Sequence, residues 1–346
     1  MKIPVGILGA TGSVGQKFIE LLKDHPWFEI KALAASERSA GKTYAEAVNW
    51  FMTTPVPDAI AGMSVSACEP GLPCKIVFSG LDSSVAGPIE KAFAEAGYIV
   101  VSNSRNHRMD EDVPLLVPEI NAGHLEMVKK QKYGKGFIVT NPNCSTIGLV
   151  MALKPLYNAF GIEALHVVTM QALSGAGYPG VPSVDILDNV VPYISGEEEK
   201  MQIEPLKILG NLQNGKVEFA NMKISAQCNR VHVSDGHLES VSVKLGKKAA
   251  KNELIEAWNN FSGEPQNLKL PMAPEQAVQY FNEPNYPQPR LHRMLGKGMT
   301  VSVGRLQECP LLDFKFNVLS HNTIRGAAGG AILNAELLYK KGYLDG

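Results

Sequence analysis

The run Asn141-Pro142-Asn143-Cys144-Ser145-Thr146 stands directly ahead of an apolar stretch of helical character. Asn or Ser caps a helix well and Pro142 restricts the approach, so Cys144 is expected at or near a helix N-terminus. The positive partial charge there stabilises thiolate and lowers a thiol from its ordinary value of about 8.5, which would supply a nucleophile at neutral pH. Cys68, Cys74, Cys228 and Cys309 lack such a setting and read as packing residues, the default for any lone cysteine. No CxxC pair or Cys/His ligand spacing occurs, so neither a disulfide framework nor a metal site is expected.

A second chemical feature lies at the start. Gly9-Ala-Thr11-Gly12-Ser13-Val14-Gly15 follows an apolar strand-like run and opens a helical one. Glycines allow close backbone approach and helix-terminal amides attract an anion, so a dinucleotide pyrophosphate fits there. The spacing is GxxGxxG and not GxGxxG, and a tight strand–helix turn needs glycine too. The end of the next strand reads Ala35-Ser36-Glu37-Arg38-Ser39. An acidic residue at that place would hold the ribose 2′-hydroxyl of NAD. Arg38 with Ser36 and Ser39 suits a 2′-phosphate, so NADP(H) is the expected cofactor, although Glu37 lies one place away.

The elements that must position these groups follow two rhythms. In the first third, Ile3–Leu8, Phe28–Ala35, Lys75–Phe78 and Tyr98–Ser102 read as strands, with helices over Val14–Leu22 and Ile89–Ala96. That alternation implies a parallel, doubly wound sheet. Asn49–Pro73 reads as loop with irregular elements. A second region, from near Phe137, has strands over Leu165–Leu173, Val217–Ile224, Leu238–Leu245, Val301–Leu306 and Phe314–Leu319. Helices over Ile147–Phe160 and Ala249–Phe261 lie between them, so an antiparallel or mixed sheet with helices on one face is expected. Asn322–Tyr339 is apolar and rich in Gly and Ala, like a tightly packed helix.

Length and charge bound the function. A chain of 346 residues suggests two domains sharing a cleft. With 33 basic against 34 acidic residues it lacks the basic footprint of a broad nucleic-acid surface, yet two or three local cations can still hold a small anion. No run of about 18 apolar residues suggests a membrane span. The first residues enter the glycine turn at once and read as a folded start, so a cytoplasmic protein is expected.

Four motifs together resemble a known family. GATGSVG, NPNCST, QALSGAG from Gln171 and NRVHVSDGH ending at His237 occur in the order seen in aspartate-β-semialdehyde dehydrogenase, over essentially the whole chain. SERSAGK and SNSRNHRM are similar to its fungal and archaeal branch. The resemblance implies a Rossmann-like NADP-binding domain over 1–140, completed by a C-terminal helix over 322–346. It also implies a catalytic and dimerisation domain over 141–321. The implied reaction is NADPH-dependent reductive dephosphorylation of L-aspartyl 4-phosphate to the 4-semialdehyde, on the route to lysine, threonine and methionine. Cys144 would expel phosphate and form a thioester, which accepts hydride more readily than a carboxylate.

By the same resemblance His237 is the general acid/base, Gln171 orients the substrate, and Asn143 with the Cys144 amide positions the acyl oxygen. Arg230 would pair with the α-carboxylate. Glu197 would hold the ammonium and Lys200 the phosphate, within Glu197-Glu198-Glu199-Lys200, where three glutamates compete. Asn103 and Arg108 complete the phosphate site, with Arg105 the rival. Gly9, Thr11, Gly12, Ser13, Val14 and Ser79 would line the cofactor, and Ser174, Gly175 and Asn322 its nicotinamide end. His232 stands where the family has proline. A homodimer or homotetramer is implied, through the second domain. The alternatives are a malonyl-CoA reductase on the same scaffold, an N-acetylglutamyl-phosphate reductase, which NPNCST argues against, and a catalytically silent NADP-binding regulator.

Overall fold

The computed structural model describes residues 2–344 and builds two six-stranded sheets. The first contains β1 (Ile3–Leu8), β2 (Phe28–Ala35), β3 (Val65–Ala67), β4 (Ile76–Ser79), β5 (Ile99–Ser102) and β6 (Phe137–Thr140). Every pairing is parallel, in the order β3-β2-β1-β4-β5-β6. All residues of β4, β5 and β6 are buried, as expected of a parallel sheet covered on both faces. The strand order reverses between β1 and β4, so the turns at their carboxyl ends flank a crevice. Helix α1 (Ser13–Leu22) leaves β1 through the glycine turn, and α2 (Ser83–Glu95) follows β4. Helix α2 begins six residues before the expected Ile89, because Asp82 caps it by accepting the Ser84 amide at 2.9 Å. Phe137–Thr140, expected to open the second region, is instead the last strand of the first sheet, and the irregular stretch Asn49–Pro73 supplies edge strand β3.

Helix α3 (Cys144–Phe160) leaves β6 and is buried on nearly every side; it starts at Cys144, three residues before the expected Ile147. It packs against the second sheet, built from β7 (Ile162–Gln171), β10 (Lys223–Arg230), β11 (His237–Leu245), β12 (Val278–Phe281), β13 (Val301–Glu308) and β14 (Phe314–Ser320). Their order is β10-β7-β11-β14-β13-β12, and the sheet is mixed. Alternate residues of β7, β11 and β14, among them Glu163, His166, Ser240, Lys244 and Lys315, are exposed, so one face is covered by helices and the other is open. Covering helices include α4 (Glu197–Ile208) and α5 (Lys251–Asn259).

The single strand expected over Val217–Ile224 does not form. A small hairpin pairs β8 (Asn211–Gln213) with β9 (Lys216–Glu218), and the chain breaks before β10. Asn214-Gly215 at its tip has φ of 53° and 78°, the left-handed pair that a tight hairpin turn needs. The expected last helix is a π turn over Ile324–Ala328 running into α6 (Gly329–Lys340). Arg325 in the π turn forms a two-bond pair with Glu119 at 2.7 and 2.6 Å, fully buried. Helix α6 packs against α1 and β5, which returns the chain to the first sheet. Residues 345–346 of the expected 322–346 helix lie outside the described residues. Among the described residues no helix is long and apolar enough to cross a membrane, and no metal-ligating cluster occurs.

Candidate active site

Cys144 is the first residue of α3, and Asn143 is its cap. The Asn143 Oδ1 accepts the amides of Ser145 at 3.0 Å and Thr146 at 3.3 Å. Its Nδ2 donates to both carboxylate oxygens of Glu197, at 3.1 and 2.9 Å. The Asn143 side chain thus joins the helix cap to Glu197. The Cys144 amide, at the first helical position, is a donor available to an oxyanion at this end.

His237 opens β11, and its Nε2 lies 3.2 Å from the Cys144 sulfur. The Ala172 amide donates to His237 Nδ1 at 3.0 Å. A backbone donor at Nδ1 assigns the proton of the neutral ring to Nε2, the nitrogen that faces sulfur. His232 is exposed, and the Cys144–His237 contact forms with histidine at this position.

Burial governs the protonation of the pair. Desolvation, with Glu197 adding to it, pushes the Cys144 thiol up to about 12, against the pull of Lys200, Arg230 and Arg108. Burial and the nearby Arg230 push the imidazole down to about 3. The expectation of a lowered thiol is overturned, because removal from water outweighs the charge at one helix terminus. The pair rests as thiol and neutral imidazole.

The charged residues converge on the same cleft. A cavity of about 280 Å³ is lined by Val14, Asn103, Arg105, Arg108, Asn143, Cys144, Gly175, Glu197 and Lys200. Among the three competing glutamates the helical phase of α4 decides. Glu197 is buried against Asn143, Glu198 accepts the Cys228 amide, and Glu199 is exposed. Burial opposes the charge on Glu197, yet Lys200 beside it and bonds from Lys200, Asn143 and Gln171 hold its carboxyl below the usual range. Gln171, at the end of β7, donates to Glu197 at 3.3 Å. Arg230, at the end of β10, donates to the Ala172 carbonyl at 2.6 Å. A Cβ built on Gly175 would come within 2.9 Å of Arg230 Nη1 and 3.2 Å of His237 Nε2, so any larger residue there would displace the two side chains.

The cofactor turn stands beside this cavity. Gly12 caps α1 without a side chain, and the first turn of α1 carries no acidic residue, leaving the amides at Ser13 and Val14 for an anion. A Cβ on Gly15 would lie 2.2 Å from the Gly9 carbonyl, so the close strand–helix contact requires glycine. Thr11 is half-buried in the turn, Ser79 ends β4, and exposed Ser36 and Arg38 with buried Ser39 follow β2. These residues fit a dinucleotide with a 2′-phosphate. A second cavity, of about 350 Å³, is lined by Ser13, Lys17, Phe51, Ser174, Tyr178 and Asp235, so the α1 terminus and the Ser174-Gly175 turn separate two chambers. Asn322 ties the Gly236 amide (2.9 Å) to the Ser174 hydroxyl (2.8 Å), so it braces the turn carrying His237, and its Nδ2 keeps a second N–H.

Two residues that the sequence reading passed over belong to the site. Glu204 accepts from the Asn143 amide at 2.7 Å and from Arg108 Nη1 at 2.9 Å. Lys207 donates to the carbonyls of Arg108, Asp110 and Val113 at 2.8, 2.8 and 2.9 Å. Their spacing of seven and ten from Glu197 puts all three on one stripe of α4, the only signal the sequence carried.

Comparison with known proteins finds a family and relatives that cover nearly the whole chain. The model for the semialdehyde dehydrogenase NAD-binding domain matches residues 4–128, and that for the semialdehyde dehydrogenase dimerisation domain matches 153–325. The chain is 49% identical over 345 residues to aspartate-semialdehyde dehydrogenase of Archaeoglobus fulgidus, covering 99% of each. It is 51% identical over 352 residues to that of Schizosaccharomyces pombe, covering 98% of this chain and 99% of the other. The crystal structure of aspartate semialdehyde dehydrogenase with NADP from Candida albicans superposes with a TM-score of 0.92 at 47% identity, covering 99% of this chain and 100% of that one.

Proposed function

The chain belongs to the aspartate-semialdehyde dehydrogenase family, and on that premise we propose that it reduces L-aspartyl 4-phosphate to L-aspartate 4-semialdehyde through a thioester on Cys144. The observation that carries this is the 3.2 Å contact of Cys144 and His237 at a cavity that also holds Glu197, Lys200 and Arg108. A nucleophile, an imidazole donor and charges of both signs converge there, as a substrate with one ammonium and two anionic groups requires.

The Cys144 sulfur attacks the acyl carbon; the C–S bond forms, the C–O bond to phosphate breaks, and the thiol proton leaves on the phosphate oxygen. Lys200 and Arg108 stabilise that phosphate, while Glu197, held ionised, takes the ammonium and Arg230 the α-carboxylate. NADPH, when bound, supplies the hydride that reduces the thioester. Gly9, Thr11, Gly12, Ser13 and Val14 would hold its pyrophosphate, and Ser36, Arg38 and Ser39 its 2′-phosphate. Ser79, Ser174 and Gly175 face the rest. His237 keeps its proton on Nε2 and donates it as a hydrogen bond, first to the oxyanion and then to the sulfur anion released with the aldehyde. In this role it is a fixed donor more than a shuttling acid/base. A proton from solvent restores the thiol.

The family match over 153–325 carries a dimerisation domain, and we infer a homodimer, or a pair of such dimers, through the open face of the second sheet, in a cytoplasmic enzyme of lysine, threonine and methionine synthesis. The near-neutral charge supports a small-molecule partner, not nucleic acid or membrane.

The deciding assay is phosphate-dependent reduction of NADP⁺ by aspartate semialdehyde, run beside reduction of malonyl-CoA by NADPH. Turnover is expected only in the first; activity solely with the CoA ester would overturn the reading.

A further inference from the structure

Two arms of the cleft come from the first sheet: the segment after β5 that carries Asn103 and Arg108, and the Asn143 cap after β6 that precedes Cys144. At their bases the arms are joined directly: the Asn141 amide donates to the Ser102 carbonyl at 2.7 Å and its side chain to Asn103 Oδ1 at 3.0 Å. Further out, between Asn143 and Arg108, the link is a buried carboxylate on a third element. Glu204 is 3% exposed, does not line the cavity, and divides its oxygens between the two arms. One accepts the Asn143 amide at 2.7 Å, the other accepts Arg108 Nη1 at 2.9 Å. One turn further along α4, Lys207 secures three carbonyls of the Arg108 segment, and Arg108 Nη2 closes the loop on the Asn103 carbonyl at 2.7 Å.

We propose that Glu204 is a positioning residue that sets the separation of the nucleophile Cys144 from the phosphate-facing Arg108, with Lys207 anchoring the segment that carries the arginine. The inference rests on the reading of Arg108 as a phosphate ligand and deepens it. The chemistry of the two partners explains why a carboxylate stands here. Both are donors, so the bridge must be acceptor-only at both ends. A glutamine would turn its NH₂ toward one of them, and aspartate is a methylene too short to span both. Because Arg108 is itself buried, with Nη1 spent on Glu204 and Nη2 on Asn103, its orientation in the cleft is set before phosphate arrives.

The test reads phosphate binding without turnover. Inorganic phosphate should protect Cys144 of the intact protein from alkylation by iodoacetamide. Glu204→Gln is expected to raise the half-protecting phosphate concentration about tenfold, the effect of losing one charge-assisted hydrogen bond. Half-saturation by NADP⁺, followed by fluorescence, should stay unchanged. With Arg108→Ala already present, Glu204→Gln should add little, since both act through one bond. If Glu204→Gln does not fold, Glu204→Asp should shift protection in the same direction. Unchanged half-protection in a folded variant, or a loss fully additive to that of Arg108→Ala, overturns the proposal while leaving the phosphate site standing. No protection of the unsubstituted protein removes the phosphate site, and the proposal with it.

Discussion

Two pairs of side chains share the cleft and the same degree of enclosure, yet they hold their protons in opposite ways. Cys144 and His237 touch at 3.2 Å and stay neutral, with the thiol pushed up to about 12 and the imidazole down to about 3. Glu197 and Lys200 touch as an ion pair, and the carboxyl is held below its ordinary range. Desolvation opposes charge in both. The difference lies in compensation: Glu197 receives Lys200, Asn143 and Gln171, whereas His237 has one backbone donor and a nearby arginine that repels a second positive charge. The fold thus holds the Cys144–His237 pair uncharged and the Glu197 carboxyl ionised within one cleft.

The largest effect that bears on this contrast is loss of the thiol. Cys144→Ala should lower phosphate-dependent turnover by about 10⁴-fold or more, with the melting temperature nearly unchanged. An active alanine variant would end the thioester mechanism and make the neutral pair incidental. Next is the pH dependence of alkylation in the free protein. A thiol near 12 is protonated across the neutral range, so its thiolate fraction rises tenfold per pH unit, about a thousandfold between pH 6 and 9. A plateau near pH 7, measured with iodoacetamide, would show instead a preformed thiolate–imidazolium pair.

Breaking the charged pair should cost less than losing the nucleophile. Lys200→Met leaves Glu197 buried without its cation, and the KM for phosphate and for the semialdehyde should each rise by roughly ten- to a hundredfold. An unchanged KM for phosphate would place Lys200 outside the phosphate site. The smallest effect lies away from both pairs. Exposed Arg38 after β2 gains only at the 2′-phosphate, so Arg38→Ala should raise the KM for NADPH about tenfold relative to that for NADH. Equal changes for the two cofactors would discard that role.

Much of the fold was legible because its signals are local. The strands over Ile3–Leu8 and Phe28–Ala35 and the glycine turn between β1 and α1 depend on short apolar runs and backbone needs a few residues wide. Departures arose where a local cap or turn competed with periodicity. Asp82 started α2 early, and the Asn214-Gly215 turn drew Val217 and Glu218 into a hairpin, while the chain leaves strand at 219–222 before β10. In the site, Cys144 and His237 could be named from their motifs. Glu204 and Lys207 could not, because what they do is defined by partners 61 to 99 positions away.

By itself, then, the sequence determined the order of elements, the nucleophile at a helix start, the glycine turn for a dinucleotide and the stock of cations for an anionic substrate. Only the tertiary structure decided which of three adjacent glutamates lines the cleft, which carboxylate bonds both Asn143 and Arg108, and that Asn322 and Asn143 brace the turns around the site. It also reversed the protonation expected of Cys144. A helix terminus is a local charge that can be read from neighbours in the chain, but the loss of water around a thiol depends on everything packed over it.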